Sequence, residues 1–252
     1  MKNSKIAIIT GGSRGLGRNA ALSLADHGND VLFTYHSNQQ AAEEVKKLIE
    51  SKGQKAAFLQ LDTGRTASFA HFVNAVKSTL QDVWQTKTFD FLINNAGVGA
   101  HAPIGETTEA TFDRLMNVQF KGVYFLTQSL LPLMNDGGRI VNISTGLTRF
   151  ALPGYAAYAS MKGAIEVFTK YLAKELGPRK ITANLVAPGA IDNDFNKHAF
   201  ANKNVTDFIA SQTALGRVGK SDDIGKVVNF LVSDAASWVN AQRLEASGGM
   251  FL

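Results

Sequence analysis

The sequence contains no cysteine, which excludes a disulfide framework, a thiolate metal site and a cysteine nucleophile together. No metal-ligand spacing of histidines and carboxylates is present either. Like-charged residues never run beyond a pair, although 26 Lys and Arg against 21 Asp and Glu leave a net charge of +5. That pattern does not make a nucleic-acid or membrane-binding tract. Long apolar runs are also missing: no stretch approaches the roughly 18 uncharged residues needed to cross a bilayer. Near the start only Ile6-Ala7-Ile8-Ile9 is continuously apolar, too short for a signal-peptide core. The default expectation is a soluble, cytoplasmic protein. What is present in quantity is apolar side chain, 45% of 252 residues, enough for one large core or two small ones.

Short apolar runs at 5–10, 30–35, 55–61, 89–93, 139–143, 180–187 and 242–246 predict strands. Most are continuously apolar, which suits parallel strands covered on both faces. Amphipathic segments at 17–27, 39–52, 66–83, 108–134, 156–176 and 221–233 lie between them and predict helices. In the longest, Thr108 is a candidate N-cap and Phe112, Leu115, Met116, Val123, Leu126 and Leu130 recur at helical spacing. Alternation of this kind predicts one α/β domain over 1–252, a doubly wound seven-stranded parallel sheet with helices on both faces.

The turn after the first strand reads Thr10-Gly11-Gly12-Ser13-Arg14-Gly15-Leu16-Gly17. Its glycines permit positive φ and let a phosphate approach the backbone N–H groups of a helix start, so an anionic ligand, a dinucleotide in this architecture, is expected. The second strand ends Thr34-Tyr35-His36-Ser37-Asn38, without the carboxylate that would accept the ribose hydroxyls of NAD. Arg14, with Tyr35, Ser37 and Asn38 nearby, is expected to hold a 2′-phosphate instead, favouring NADP(H) over NAD(H). Farther on, Tyr158 and Lys162 stand four residues apart on one helical face. A neighbouring cation favours the phenolate and fits a tyrosine for proton exchange with an alcohol or ketone oxygen.

Together these residues resemble the short-chain dehydrogenase/reductase family over essentially the full length. Thr10-Gly11 with Gly15 and Gly17 resembles its glycine motif, Asn94-Asn95-Ala96-Gly97 its signature after the fourth strand, and Tyr158 with Lys162 its active-site pair. Asn117 falls where the family places a fourth catalytic residue, and Pro188-Gly189 resembles its nicotinamide-side turn. The resemblance implies a Rossmann fold and, more narrowly, a 3-oxoacyl-[acyl-carrier-protein] reductase-like member interconverting a ketone and a secondary alcohol. It implies Tyr158 as proton donor, Lys162 on the nicotinamide ribose and depressing the tyrosine pKa, and Asn117 holding a relay water through its backbone. Asp62 would take the adenine amino group, Asn95, Ala96 and Gly97 the adenosine ribose, and Ile191 and Asn193 the nicotinamide side.

Several positions depart from the family pattern. Thr145 stands where a catalytic serine is usual, with Ser144 beside it; Thr145 is favoured, because adjacent strand-end residues point in opposite directions. Asn193 replaces a threonine, and Asn240-Ala241 replaces Thr-Gly at a turn. Tyr155, seven residues before Lys162, has the spacing used by related enoyl reductases, leaving an enoyl reductase as one alternative. A catalytically weak NADP-binding sensor or scaffold is another. The region 192–212, with Phe195, His198, Phe200 and Phe208, is expected to form a substrate lid, and Arg149 is a candidate contact for an anionic group. The family resemblance also implies a homotetramer, with the long helices in one interface.

Overall fold

The computed structural model describes residues 4–252, apart from the side chains of His198 and Ala199. The lid expectation for His198 therefore lies outside the described side chains. In chain order the elements are β1 (Ile6–Ile9), α1 (Gly15–Asp26), β2 (Asp30–Tyr35), α2 (Gln39–Glu50), β3 (Ala56–Gln60), α3 (Phe69–Trp84) and β4 (Phe89–Asn94). They continue with α4 (Glu109–Met116), α5 (Gly122–Leu130), β5 (Met134–Ile143), α6 (Ala156–Glu175), β6 (Thr182–Pro188) and β7 (Ile191–Asp192). The last are α7 (Lys197–Phe200), α8 (Lys203–Ser211), β8 (Gly219–Lys220), α9 (Ser221–Val232) and β9 (Arg243–Ala246).

Seven strands form one parallel sheet in the order β3-β2-β1-β4-β5-β6-β9, and β7 pairs with β8 separately. The order reverses between β1 and β4, so the turns that follow these two strands flank the crevice where doubly wound sheets bind ligands. Strand residues alternate between the faces with period two. Ala7, Ile9, Val31, Phe33 and Val141 pack with Leu24 of α1 and Val228 of α9, while Ile6, Ile8, Leu32, Leu92 and Ile140 pack with Val76 of α3, Leu126 of α5 and Leu172 of α6. Burial on both sides is why the strands read as apolar runs rather than alternating ones.

The middle of the sheet is polar. Asn94 donates to Asn142 on β5 (2.8 Å) and to Thr127 on α5 (3.0 Å), and Asn142 donates to Thr169 on α6 (2.8 Å). All four side chains are buried, where unmade hydrogen bonds would cost about 1–3 kcal/mol each.

One predicted helix is corrected. The segment 108–134 is not continuous: α4 ends at Met116, a π-helical turn covers Asn117–Lys121, α5 follows, and Pro132 lies in a 3₁₀ turn before β5. Leu115, Leu126 and Leu130 are buried while Phe112 is exposed, and the wider turn shifts the helical phase between α4 and α5. Thr108 does cap α4, accepting from the Thr111 N–H (3.2 Å). At the far end Ala241 adopts φ +58°, a left-handed conformation that costs a Cβ-bearing residue roughly 1–2 kcal/mol. Part of that is offset because glycine loses more backbone entropy on folding. Ala241→Gly is expected to raise Tm by about 1–3 °C; a lowered Tm in a thermal melt would refute this strain.

Candidate active site

The turns after β1 and β4 are stitched together by hydrogen bonds. The buried Thr10 hydroxyl accepts from the N–H groups of Asn95 (3.0 Å) and Ala96 (2.9 Å), and the Asn95 amide donates to the carbonyls of Thr10 (2.9 Å) and Gly11 (3.2 Å). Gly17 permits this approach: a Cβ there would lie 2.2 Å from the Gly11 carbonyl oxygen and 2.4 Å from Asn95 Nδ2. Gly15, at φ +54°, opens α1 with nothing within 4 Å of where a Cβ would stand. No side chain caps this helix start, and Ser13, Arg14, Gly15 and Leu16 line the cleft at the positive end of the helix, a setting suited to a phosphate.

From this turn a cleft of about 750 Å³ runs along the carboxyl edge of the sheet. Gly11, Ser13, Arg14, Gly15, Leu16, Tyr35 and Asp62 line one end; Asn95, Ala96 and Gly97 lie at its middle. Asn117, Thr145, Tyr158, Lys162, Pro188, Gly189, Ile191 and Asn193 line the remainder. Two expected contacts are not among the lining residues. Ser37 and Asn38 sit beyond the end of β2, where the Asn38 side chain is spent as the N-cap of α2, accepting from the Ala41 N–H at 3.0 Å. In their place stand two basic residues that sequence reasoning passed over. His36, with Nε2 3.8 Å from the Asp62 carboxylate, and Arg65 both line the cleft near Arg14. The placement of His36, directly after Tyr35, was a usable signal; that of Arg65 depends on the turn after β3. The Asp62 carboxylate also accepts from the Gly64 N–H (2.9 Å), closing that turn.

At the other end, α6 presents Tyr158 and Lys162 one turn apart. Lys162 is buried and donates to the Ile143 carbonyl (2.7 Å); its Nζ lies 5.9 Å from the Tyr158 ring centre. Burial lowers the Lys162 pKa to about 8, because desolvation penalises the ammonium. The same cause acts oppositely on Tyr158. Burial raises its phenol to about 12, with Tyr155 adding to the rise and a hydrogen bond with Thr145 opposing it. For the chain's own groups desolvation is the largest influence on the phenol, which stays protonated at neutral pH.

Thr145 and Ser144 diverge at the end of β5. The Ser144 hydroxyl donates to Glu166 (2.7 Å), while Thr145 lies against Tyr158 and its oxygen accepts from the Leu147 N–H (3.3 Å). Tyr155 also lines the cleft, with its ring edge-on to His101 at 5.1 Å between centres. Asn117 opens the π-helical turn, where its carbonyl accepts from the Gly122 N–H. The Asn193 side-chain oxygen accepts from the N–H groups of Phe195 (3.0 Å) and Asn196 (3.3 Å), so only its amide nitrogen remains for a ligand. Phe195, from the region expected to be a lid, reaches within 6.4 Å of the Tyr158 ring centre. Arg149 does not serve an anionic ligand. Its guanidinium is held by Glu245 (2.8 and 2.7 Å) and by the carbonyls of Met250 (2.5 Å) and Phe251 (2.9 Å).

A family model described as enoyl-(acyl carrier protein) reductase matches residues 11–251. A short-chain type dehydrogenase/reductase of Picea abies is 35% identical, over 97% of this chain and 92% of the relative. The chain belongs to the short-chain dehydrogenase/reductase family. Two solved structures are similar to this short-chain dehydrogenase/reductase. One is a promiscuous reductase that catalyses keto-reduction at C1 during lugdunomycin biosynthesis, 37% identical over 98% of both chains with a TM-score of 0.93. The other, an angucycline C-6 ketoreductase with bound NADP, is 35% identical over 98% of this chain and 95% of its own, with a TM-score of 0.92. Among the described residues of this family member, no helix is long and apolar enough to cross a membrane and no cluster of three metal-ligating side chains occurs.

Proposed function

We propose that the protein is an NADP(H)-dependent ketoreductase in which Tyr158 is the general acid. The observation that carries this reading is the convergence of Tyr158, Thr145 and Lys162 in a cleft whose opposite end is a helix N-terminus framed by glycines. The open space at Gly15 and the basic residues Arg14, His36 and Arg65 fit the phosphates of NADP(H). The ketoreductase with bound NADP supports the same cofactor. When bound, NADPH supplies the hydride.

The chain's residues manage the proton and the geometry. Tyr158, protonated at neutral pH, donates to the carbonyl oxygen as negative charge develops there. With its own oxygen accepting from Leu147, the Thr145 hydroxyl has its proton to donate to that same carbonyl oxygen. Lys162 supplies a buried positive charge for the nicotinamide ribose, and the Asn117 backbone serves a relay water. Asp62 meets the adenine, and Asn95, Ala96 and Gly97 the adenosine ribose.

The substrate end is apolar and rich in rings: Phe150, Leu152, Tyr155, Phe195, Phe200 and Met250 line it. Such a wall suits a ketone carried on an apolar ring system more than the polar arm of a 3-oxoacyl thioester. The test is oxidation of NADPH and NADH across cyclic and aromatic ketones, acetoacetyl thioesters and a conjugated enoyl thioester. Reduction of ring ketones with NADPH is expected. Tight NADPH binding without turnover would point to a sensor, and consumption of the enoyl thioester alone to an enoyl reductase.

The second copy implied by the family finds an apolar face on α5 and α6, where Tyr124, Phe125, Val167 and Tyr171 are exposed. This face supports one interface of the homotetramer, and a monomer in sedimentation at micromolar concentration would overturn it.

A further inference from the structure

Beside the cleft lies a chain of ion pairs that the proton-transfer groups do not account for. Tyr158, Lys162 and Glu166 follow at four-residue steps along α6, so Glu166 is one turn below the lysine on the same stripe. It does not pair with Lys162. Its carboxylate accepts from the Ser144 hydroxyl (2.7 Å), the Thr148 hydroxyl (2.6 Å) and Arg243 Nε (2.8 Å). Arg243, on the edge strand β9, uses the rest of its fork in three further contacts. It donates to Glu245 (2.8 Å), to the Thr148 hydroxyl (3.2 Å) and to the carbonyl of Thr145 (3.0 Å). Glu245 is fixed in turn by Arg149 (2.7 Å) and by the Ser247 hydroxyl (2.9 Å).

We propose that Glu166 and Arg243 are positioning residues for Thr145. Between them they hold the side chain before Thr145, its own carbonyl and the residue three beyond it, which fixes the strand end and the following turn from both sides. The arrangement demands a planar, multiply donating cation. A lysine at 243 supplies the charge but not the fork. The pairs are mostly buried, with side-chain exposure of 20% for Glu166 and 23% for Arg243, so solvent screens them less than a surface pair. Thr145 needs such support because its hydroxyl is presented from a strand end followed by a single 3₁₀ turn, and a donor displaced by an ångström loses much of its effect on a developing charge.

The catalytic half of this inference rests on the carbonyl-reduction reading, so the test has an arm that does not. In Glu166→Gln, kcat for ketone reduction is expected to fall about 10- to 100-fold, with KM and NADPH affinity changed by less than about threefold. In a Thr145→Ala background the same change should cost under about twofold, since no hydroxyl is left to position. Amide exchange at Leu147 and Arg149, whose N–H groups close the turn, should quicken about tenfold while the strand interiors stay protected. Unchanged kcat with unchanged exchange overturns the proposal, and so does an equal loss in the Thr145→Ala background, which would mark a general structural role. Should wild type reduce no ketone, the carbonyl reading fails and amide exchange alone decides. Arg243→Lys is judged by the same criteria where Glu166→Gln does not fold.

Discussion

Tyr158→Phe is expected to lower kcat for carbonyl reduction by about 10²–10⁴-fold, the usual worth of a positioned general acid, while the protein still binds NADPH within about twofold of wild type. The substitution removes one oxygen from a ring that lines the cleft outside the hydrophobic core, so the loss reports proton donation rather than folding. Tyr155→Phe is expected to retain most of its turnover, because that ring contributes an edge against His101 and cleft wall. Near-normal turnover by Tyr158→Phe with an inactive Tyr155→Phe would reassign the acid. Direction of reaction matters as well. A phenol held at about 12 is already in the acid form needed for reduction. Alcohol oxidation needs the phenolate, and its rate should climb with pH through the neutral and mildly alkaline range.

Lys162→Met is expected to abolish efficient turnover and yet make the protein more stable. Burial holds the ammonium at about 8, against 10.5 in the unfolded chain, so the folded state carries a penalty of about 3 kcal/mol at neutral pH. Methionine removes that penalty and forfeits the hydrogen bond to the Ile143 carbonyl, which returns about 1–2 kcal/mol. The net gain of about 1–2 kcal/mol corresponds to roughly 2–8 °C in Tm for a chain of this size. Its pH dependence is distinctive. The unfolded state binds more protons between pH 8 and 10.5, so the wild-type penalty is full below pH 8 and disappears as pH rises through that window. The stability difference between variant and wild type should shrink accordingly. A variant less stable than wild type at pH 7 would show that the lysine is not held at a cost.

The sheet was legible because its strands are buried on both faces, which turns position in the fold into a continuous apolar run. The glycine turn and the Tyr158-Lys162 pair were legible because each is local, set by one turn or one helical repeat. Contacts between distant segments were not. Arg149 reads as an unspent charge in sequence, but its partners lie 96 to 102 residues away. Asn38 reads equally well as a phosphate donor and as a helix cap, and the backbone of α2 takes it first. The break at Asn117 escaped a periodicity argument because the helix resumes after five residues with apolar side chains still at plausible spacing. Although it directly follows Tyr35, His36 is hard to read in sequence because its place in the cleft depends on Asp62, which the turn after β3 brings to it.

The Asn94, Asn142, Thr127 and Thr169 contacts act as a ruler for the sheet. Apolar strands covered on both faces can slide past one another by two residues and still bury grease against grease. Two side-chain amides that must meet each other and one hydroxyl apiece admit one alignment. That alignment sets how far the chain ends beyond β4 and β5 overhang, and so where Asn95 and Thr145 come to rest. The spacing between the middle of the cleft and its proton-transfer end is thus gauged from inside the core, out of reach of water and of the loops that admit substrate.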